Sequence, residues 1–204
     1  MLRVGLTGGV ACGKSTVGAM LAERGAHFLQ ADTLAHQLYV PGKPTHAAVV
    51  KHFGVDILNP DGTINRARLA NVAFPGRIGE LNAIVHPAVI AAQNRWMAEV
   101  GRKDPQGIAV VEAALIVEAG AAGDFDKLIV VTCDFQQKVK RYAQRAGVSD
   151  EVARAEVQRR SAAQLSDEEK ASRANYVIDN SGSIEDTTRQ VEAVWAELRS
   201  TSIP

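Results

Sequence analysis

GGVACGKS, at residues 8–15, is a complete phosphate-binding loop of the form G-x-x-x-x-G-K-[ST]. The residues before it, 2–7 (LRVGLT), form a short apolar run that is typical of a buried strand. The residues after it, 14–24 (KSTVGAMLAER), carry apolar side chains on one helical face, and Gly25 is placed to end the helix. Strand, glycine-rich turn and helix are the context that such a loop requires, so the sequence predicts a site for a nucleoside triphosphate.

The residue types in this loop define its chemistry. Gly8 and Gly13 allow backbone N–H groups to close around phosphate oxygens, and the N-terminus of the following helix adds partial positive charge. Lys14 is expected to reach the β- and γ-phosphates as a catalytic cation, and the Ser15 hydroxyl is expected to bind Mg²⁺. The small side chain of Cys12 is expected to face the nucleotide. The predicted nucleotide-binding residues of this stretch are Gly8, Gly9, Val10, Ala11, Cys12, Gly13, Lys14, Ser15 and Thr16.

Composition limits the remaining possibilities. The 204 residues suffice for one sizeable core with a small inserted unit, and the formal net charge of zero implies no overall attraction to nucleic acid or to an anionic membrane. Two cysteines fit a reducing compartment better than a disulfide framework. We see no targeting segment, and the longest apolar stretch, 108–122, is too short to cross a bilayer. The expectation is a cytoplasmic protein, a monomer or small homo-oligomer, that acts on a small molecule and binds neither nucleic acid nor membrane.

Four further apolar runs resemble strands, at residues 27–31, 108–114, 128–133 and 176–178. Together with the first run they predict an α/β fold of three layers, in which helices cover both faces of a five-stranded parallel sheet.

Two stretches between these runs are too long to be simple crossovers. Residues 34–106 contain turn signals, including Pro75-Gly76, and predicted helices at 66–73 and 78–100, which is enough for an inserted helical unit that holds a substrate. Residues 135–174 are largely helical and basic, which suggests a lid. The whole chain, 1–204, is predicted to form a single domain around these parts.

Five side chains outside the loop are candidates for chemistry. Asp32 follows the second strand and is the leading general base, although an aspartate that caps a helix is an equally good interpretation of its position. Glu112 stands in an apolar strand, where a carboxylate is costly to bury without a metal or a cation, so it is a candidate for the Mg²⁺ shell. Arg141 and Arg145 share a helical face and either close over the transferring phosphate or form a solvated surface. Glu118 is expected to face solvent as readily as to serve the site.

The ordered set of motifs along the chain resembles the dephospho-coenzyme A kinase family over nearly the whole length. The loop alone is shared by many families, whereas the full set with preserved spacing is highly specific. The residues that carry the resemblance are Gly5 to Gly9, Gly13 to Thr16, Ala31-Asp32, His36, Asp61-Gly62, Asn65-Arg66, Leu69, Ile84, His86-Pro87, Leu115, Glu118, Arg141, Arg145 to Gly147, Gln164, Lys170 and Tyr176 to Gly182.

This resemblance implies a P-loop kinase fold and transfer of the ATP γ-phosphate, with Mg²⁺, to the 3′-hydroxyl of the ribose of dephospho-coenzyme A. It implies that Asp32 is the base near that hydroxyl and that the insertion at 34–106 binds the coenzyme A moiety. It further implies that the substrate-binding residues include Asp32, His36, Arg66 and His86. Arg141 and Arg145 fall on lid arginines, and Asp179-Asn180 lies in the turn that borders the adenine.

The chain departs from the family pattern at a few positions. Ala11-Cys12 replaces the common Gly-Ser, and the methyl group at residue 11 restricts the backbone. Glu112 and Ala114 replace a usual Asp and Pro, Lys138 replaces a usual Gln, and Asn175 replaces a usual Asp. None of these changes removes an essential group.

The loop departures raise the alternative of a binding-only pseudo-enzyme, although Lys14, Ser15 and Asp32 all persist. Two further alternatives remain beside the favoured function. One is another small-metabolite or nucleoside kinase of the same fold, with unchanged donor chemistry and a different insertion. The other is a GTP-hydrolysing switch, which predicts an Asn-Lys-x-Asp motif for guanine, whereas no Asn-Lys dipeptide occurs in the sequence.

Overall fold

A computed structural model describes residues 1–74 and 76–202 of the chain, with the side chain of Ser202 excepted. It contains a five-stranded sheet in the order β2-β3-β1-β4-β5, and every neighbouring pair is parallel. The strands are β1 (Leu2–Gly8), β2 (His27–Gln30), β3 (Ile108–Glu112), β4 (Lys127–Thr132) and β5 (Tyr176–Asp179). The predicted five-stranded parallel α/β sheet is therefore confirmed.

The helices connect these strands and end at residues whose chemistry favours a helix boundary. They are α1 (Lys14–Glu23), α2 (Ala31–Leu38), α3 (Pro44–Phe53), α4 (Arg66–Ala73), α5 (Ile78–Lys103), α6 (Phe135–Ala146), α7 (Asp150–Ala162), α8 (Asp167–Ala171) and α9 (Ile184–Ser202). The side chains of Asn65 and Ser149 accept hydrogen bonds from the first turns of α4 and α7, and Ser166 with Glu169 forms a capping box on α8. Gly147 ends α6 in the left-handed conformation, where glycine carries no steric penalty.

The described chain divides into two compact units. One consists of residues 1–30 together with the described residues from 99 onward, and the other is Ala31–Ala98. In the first unit, the continuous apolar strands β1, β3 and β4 bury both faces, as the absence of polar alternation predicts. Its main core joins side chains of these strands to the buried faces of α1 and α9.

The second unit has a core of its own, built from the apolar faces of α3, α4 and α5. The assignment of residues 34–106 to a coenzyme-A-binding insertion, and of 135–174 to a lid, stays a prediction. The turn predicted at Pro75-Gly76 includes Pro75, which lies outside the described residues. Across residues 1–74 and 76–202, no helix combines the length and the apolar character that crossing a membrane requires.

Candidate active site

The phosphate-binding loop connects the end of β1 at Gly8 to the start of α1 at Lys14. Gly13 precedes the helix with φ +92°, and a Cβ atom there would lie 2.1 Å from Nδ2 of Asn180. Both the left-handed conformation and this close approach exclude a side chain at residue 13. The loop therefore brings its backbone to the helix N-terminus, where the N–H groups of the first turn and the helix dipole favour an anion.

Asn180 and Arg141, which lie far from the loop in sequence, hold it in place. The Nδ2 of Asn180 donates to the carbonyl oxygen of Cys12 at 2.8 Å, and its Oδ1 accepts from the Thr187 hydroxyl at 2.8 Å. Nη2 of Arg141 donates to the carbonyl oxygen of Asn180 at 2.9 Å, and Nη1 approaches the carbonyl oxygen of Cys12 at 3.4 Å. Asn180 and Thr187 are buried, so this network fixes the loop backbone. The adenine-bordering role of Asp179-Asn180 stays a prediction, and Thr187 is a support that sequence analysis missed.

The side chain of Lys14 folds back onto the loop. Its Nζ donates to the carbonyl oxygens of Gly8 at 3.1 Å and of Gly9 at 2.9 Å. Both acceptors are neutral, and a phosphate oxygen is a stronger partner for an ammonium group. A bound polyphosphate can therefore draw the Lys14 ammonium away from these carbonyl groups.

Ser15 and Glu112 meet beside the loop, as their prediction as metal ligands requires. The Ser15 hydroxyl donates to Oε1 of Glu112 at 2.9 Å, and Nε2 of Gln30 donates to Oε2 at 3.0 Å. Parallel register places Glu112 opposite both Leu6 and Gln30, at the carboxyl edge of the sheet. Within residues 1–74 and 76–202 no three His, Cys, Asp or Glu side chains cluster as a metal site. Two oxygen donors nevertheless fit Mg²⁺, which keeps several waters and takes further oxygens from phosphates.

Cys12 corrects one expectation, because its side chain does not face the nucleotide. It is fully buried and packs in the core of the first unit with Leu6 and Val17. Burial raises the pKa of the Cys12 thiol, and burial also raises the pKa of Cys133 to about 11. Both cysteines are free thiols that stay protonated at neutral pH. Only the backbone atoms of Cys12 can therefore contact a ligand in the loop.

Ala11 has a backbone conformation that its side chain disfavours. Its φ is +55°, the left-handed region in which an L-residue with a Cβ is strained by about 1–2 kcal/mol. This strain agrees with the expectation from the sequence that the methyl group of residue 11 restricts the backbone. A glycine at this position would have no such cost.

We expect Ala11→Gly to raise the free energy of unfolding by about 0.5–1 kcal/mol, because relief of strain exceeds the extra entropy of the unfolded chain. Urea unfolding measures the change. Ala193→Gly is the matched control, since Ala193 is exposed inside α9 and the same substitution there costs about 1 kcal/mol. Equal destabilisation by both variants would contradict the assignment of strain to residue 11.

Arg141 and Arg145 differ in their surroundings although they share a helix. Arg141 is half-buried and bonded to the loop, whereas the Arg145 guanidinium is exposed and lies 5.6 Å from the centre of the Tyr142 ring. Both remain predicted lid residues.

We therefore expect Arg141→Ala to lower kcat/KM by about tenfold to a hundredfold, the loss of one or two charged hydrogen bonds. Arg145→Ala should lower turnover less and leave the melting temperature unchanged. Steady-state kinetics and thermal melts on both variants test this order, and a larger kinetic effect at Arg145 would reverse the assignment.

Glu118 was expected either to face solvent or to serve the site, and the structure shows that it does not face solvent. Its Oε1 accepts from Nζ of Lys170 at 2.9 Å and from the backbone N–H of Leu165 at 3.1 Å. Lys170 is fully buried and also donates to Oε1 of Gln164 at 3.3 Å. This network ties the α7–α8 connection to the segment after β3. Glu118 and Lys170 are thus paired inside the protein, where loss of one partner leaves a buried charge.

In the second unit, two of the predicted substrate-binding residues come together. His36 and Arg66 line one cleft of about 220 Å³, and Tyr39 contributes a phenol whose pKa burial raises and Arg66 partly lowers. The other lining residues are Val40, Pro41, Thr63, Ile64 and Leu69. His86 is exposed on α5 and is not among the residues that line this cleft.

Asp32 lies in the first turn of α2 and is exposed. The helix begins at Ala31, so the aspartate stands inside the helix and not at the cap position that its sequence context equally allowed. A carboxylate in the first turn still interacts favourably with the helix dipole. Its role as a base stays a prediction.

Comparison with known proteins points to one family. A family model described as dephospho-CoA kinase matches residues 2–186. The chain is 43% identical over 199 residues to the dephospho-CoA kinase of Geobacter metallireducens, covering 97% of this chain and 96% of that protein. Among solved structures, TT1252 from Thermus thermophilus aligns with a TM-score of 0.77 at 34% identity, covering 97% of both chains. The dephospho-CoA kinase from Campylobacter jejuni has a TM-score of 0.71 at 24% identity over 98% of both chains, which shows the shared fold.

Proposed function

Because the chain belongs to the dephospho-CoA kinase family, we propose that it transfers the γ-phosphate of ATP to the 3′-hydroxyl of the ribose of dephospho-CoA. The observation that carries the proposal is the donor site, in which the Lys14 ammonium, the loop backbone and the Ser15–Glu112 pair lie side by side. These are the parts that phosphoryl transfer needs to position the donor and to neutralise its charge.

On the donor side, Lys14 binds the β- and γ-phosphates and draws charge from the bond that breaks. The Ser15 hydroxyl and the Glu112 carboxylate would hold Mg²⁺, and Gln30 orients the carboxylate by donating to its Oε2. When bound, Mg²⁺ supplies neutralisation of the phosphate charge. Arg141 supports the loop and adds positive charge at its end.

On the acceptor side, Asp32 accepts the proton of the 3′-hydroxyl as that oxygen attacks the γ-phosphate. The cleft with His36 and Arg66 binds the acceptor, because a guanidinium suits its phosphate groups and the apolar lining suits its carbon skeleton. His86 contributes from another part of the same unit. The proposal includes a cytoplasmic location, where ATP is available and free thiols stay reduced.

An ADP-release assay that compares dephospho-CoA with adenosine and with pantetheine derivatives tests this function. We expect Mg²⁺-dependent ADP release with dephospho-CoA and a product, identified by mass spectrometry, that gains one phosphate on the ribose. Faster turnover of adenosine would favour the alternative of a nucleoside kinase. Absence of ADP release with dephospho-CoA would contradict the proposal.

A further inference from the structure

A cleft of about 540 Å³ in the first unit opens beside the phosphate-binding loop. Gly9 forms its edge on the loop side, and Phe135 and Lys138 line it from α6. The connection from α7 to α8 and the start of α8 close the opposite wall. Apart from Gly9, the residues that line this cleft were not assigned to the nucleotide site by the sequence analysis.

The side chains of Lys138 and Asp167 form an ion pair on the wall of the cleft. Nζ of Lys138 lies 2.6 Å from Oδ2 of Asp167, and the two side chains are 10% and 21% exposed. Such a pair adds little to stability, because removing two charges from water offsets most of their attraction. Stability alone therefore does not explain why this ion pair is present.

The pair packs directly on the loop backbone at Gly9. A Cβ atom on Gly9 would lie 2.8 Å from Oδ1 of Asp167 and 3.0 Å from Nζ of Lys138. Because Gly9 has no side chain, the ion pair can pack directly against the backbone of residue 9. Lys14 contacts the same residue through its carbonyl oxygen at 2.9 Å. Two ammonium groups therefore converge on Gly9.

The rest of the cleft repels polyanions. Asp134, Glu168 and Glu169 also line it, and the Glu169 carboxylate is engaged as the acceptor in the α8 capping box. These carboxylates confine any attraction for phosphate to the edge at Gly9, where the ammonium groups lie. A phosphate chain seated on the loop meets cations at that edge and carboxylates beyond it.

From this geometry we infer that Lys138 is a second phosphate-binding cation of the nucleotide site, which Asp167 holds beside Gly9 until a phosphate oxygen replaces the carboxylate. The inference rests on the proposed function and adds a residue to its donor site. A phosphate oxygen competes well with Asp167, because it brings more negative charge to the same ammonium group. The exchange leaves Asp167 free to turn toward solvent.

Titration calorimetry with inorganic tripolyphosphate at constant Mg²⁺ tests the inference without an acceptor. We expect Lys138→Met to weaken tripolyphosphate binding by about tenfold to a hundredfold, the value of a charged hydrogen bond, and to raise the KM for ATP. Lys140→Met is the matched control, since Lys140 is exposed on the same helix and loses the same charge. Equal affinities for Lys138→Met and the wild-type chain would overturn the inference.

The double variant Lys138→Gln/Asp167→Asn separates binding from simple repulsion by an unpaired carboxylate. It replaces the ion pair with two neutral amide side chains. Because no charge is left unpaired, we expect this variant to fold even if Lys138→Met does not. We expect its tripolyphosphate binding to stay weak, and recovery to the wild-type affinity would overturn the inference. Failure of the wild-type chain to phosphorylate dephospho-CoA would contradict the proposed function and leave this binding measurement interpretable.

Discussion

Replacing Lys14 with alanine is expected to lower kcat/KM for phosphoryl transfer by at least about three orders of magnitude. The Lys14 ammonium group donates to the carbonyl oxygens of Gly8 and Gly9, beside the loop N–H groups that are proposed to bind the β- and γ-phosphates. Its loss removes charge neutralisation that grows as the phosphoryl group leaves the donor. The fold should persist, because Lys14 occupies the first position of α1 and contributes no side chain to the core of the first unit.

Coupled ADP release measures the kinetic effect, and circular dichroism with a thermal melt checks the fold. Lys14→Met separates charge from side-chain volume and should be as inactive as Lys14→Ala. Lys103→Ala serves as the control, since Lys103 is exposed at the end of α5 and forms a surface ion pair with Glu99. Normal turnover of Lys14→Ala would refute the assignment of the donor site.

The sequence predicted the sheet and the loop because both depend on local signals. The central strands β1, β3 and β4 are mostly apolar runs, a pattern that follows from burial on both faces of a parallel sheet. The loop is a short motif whose glycines and lysine act within eight consecutive residues. Ser15 and Glu112 were also predicted together, since the carboxyl ends of neighbouring parallel strands share one edge.

The contacts that sequence analysis missed join residues far apart in the chain. The direction of the Cys12 side chain depends on how the loop packs on the core, which no residue pattern near position 12 reveals. The Lys138–Asp167 and Glu118–Lys170 pairs depend on where α8 lies against the rest of its unit. A lysine in an otherwise basic helix gives no sign that it is buried against a carboxylate.

The second unit shows the same division between local and long-range information. The sequence indicated its helices at 66–73 and 78–100 from periodicity, and the structure has α4 and α5 there. His36 and Arg66 share a cleft because the segment that ends at α4 folds back toward α2. His86 carries the same expectation from the family resemblance, yet the fold places it outside that cleft.

Asp32→Asn is expected to lower kcat by about two to four orders of magnitude, the range for loss of a positioned general base. An amide of the same shape accepts a hydrogen bond but takes no proton, so the acceptor hydroxyl loses its base while the donor site is untouched. The KM for ATP should therefore change little. Steady-state kinetics at saturating dephospho-CoA gives both values.

The competing role for Asp32 is interaction with the dipole of α2, which predicts a different result. Loss of that interaction costs about 0.3–1 kcal/mol of stability and leaves kcat unchanged. Glu185→Gln is the matched control, because Glu185 is an exposed carboxylate in the first turn of α9 and is not assigned to the site. If Asp32→Asn and Glu185→Gln both lower the melting temperature slightly and both retain wild-type kcat, Asp32 is a helix-stabilising residue and the base must be sought elsewhere. A kcat loss confined to Asp32→Asn leaves proton acceptance as the explanation, because the two variants remove the same charge from the same kind of helix position.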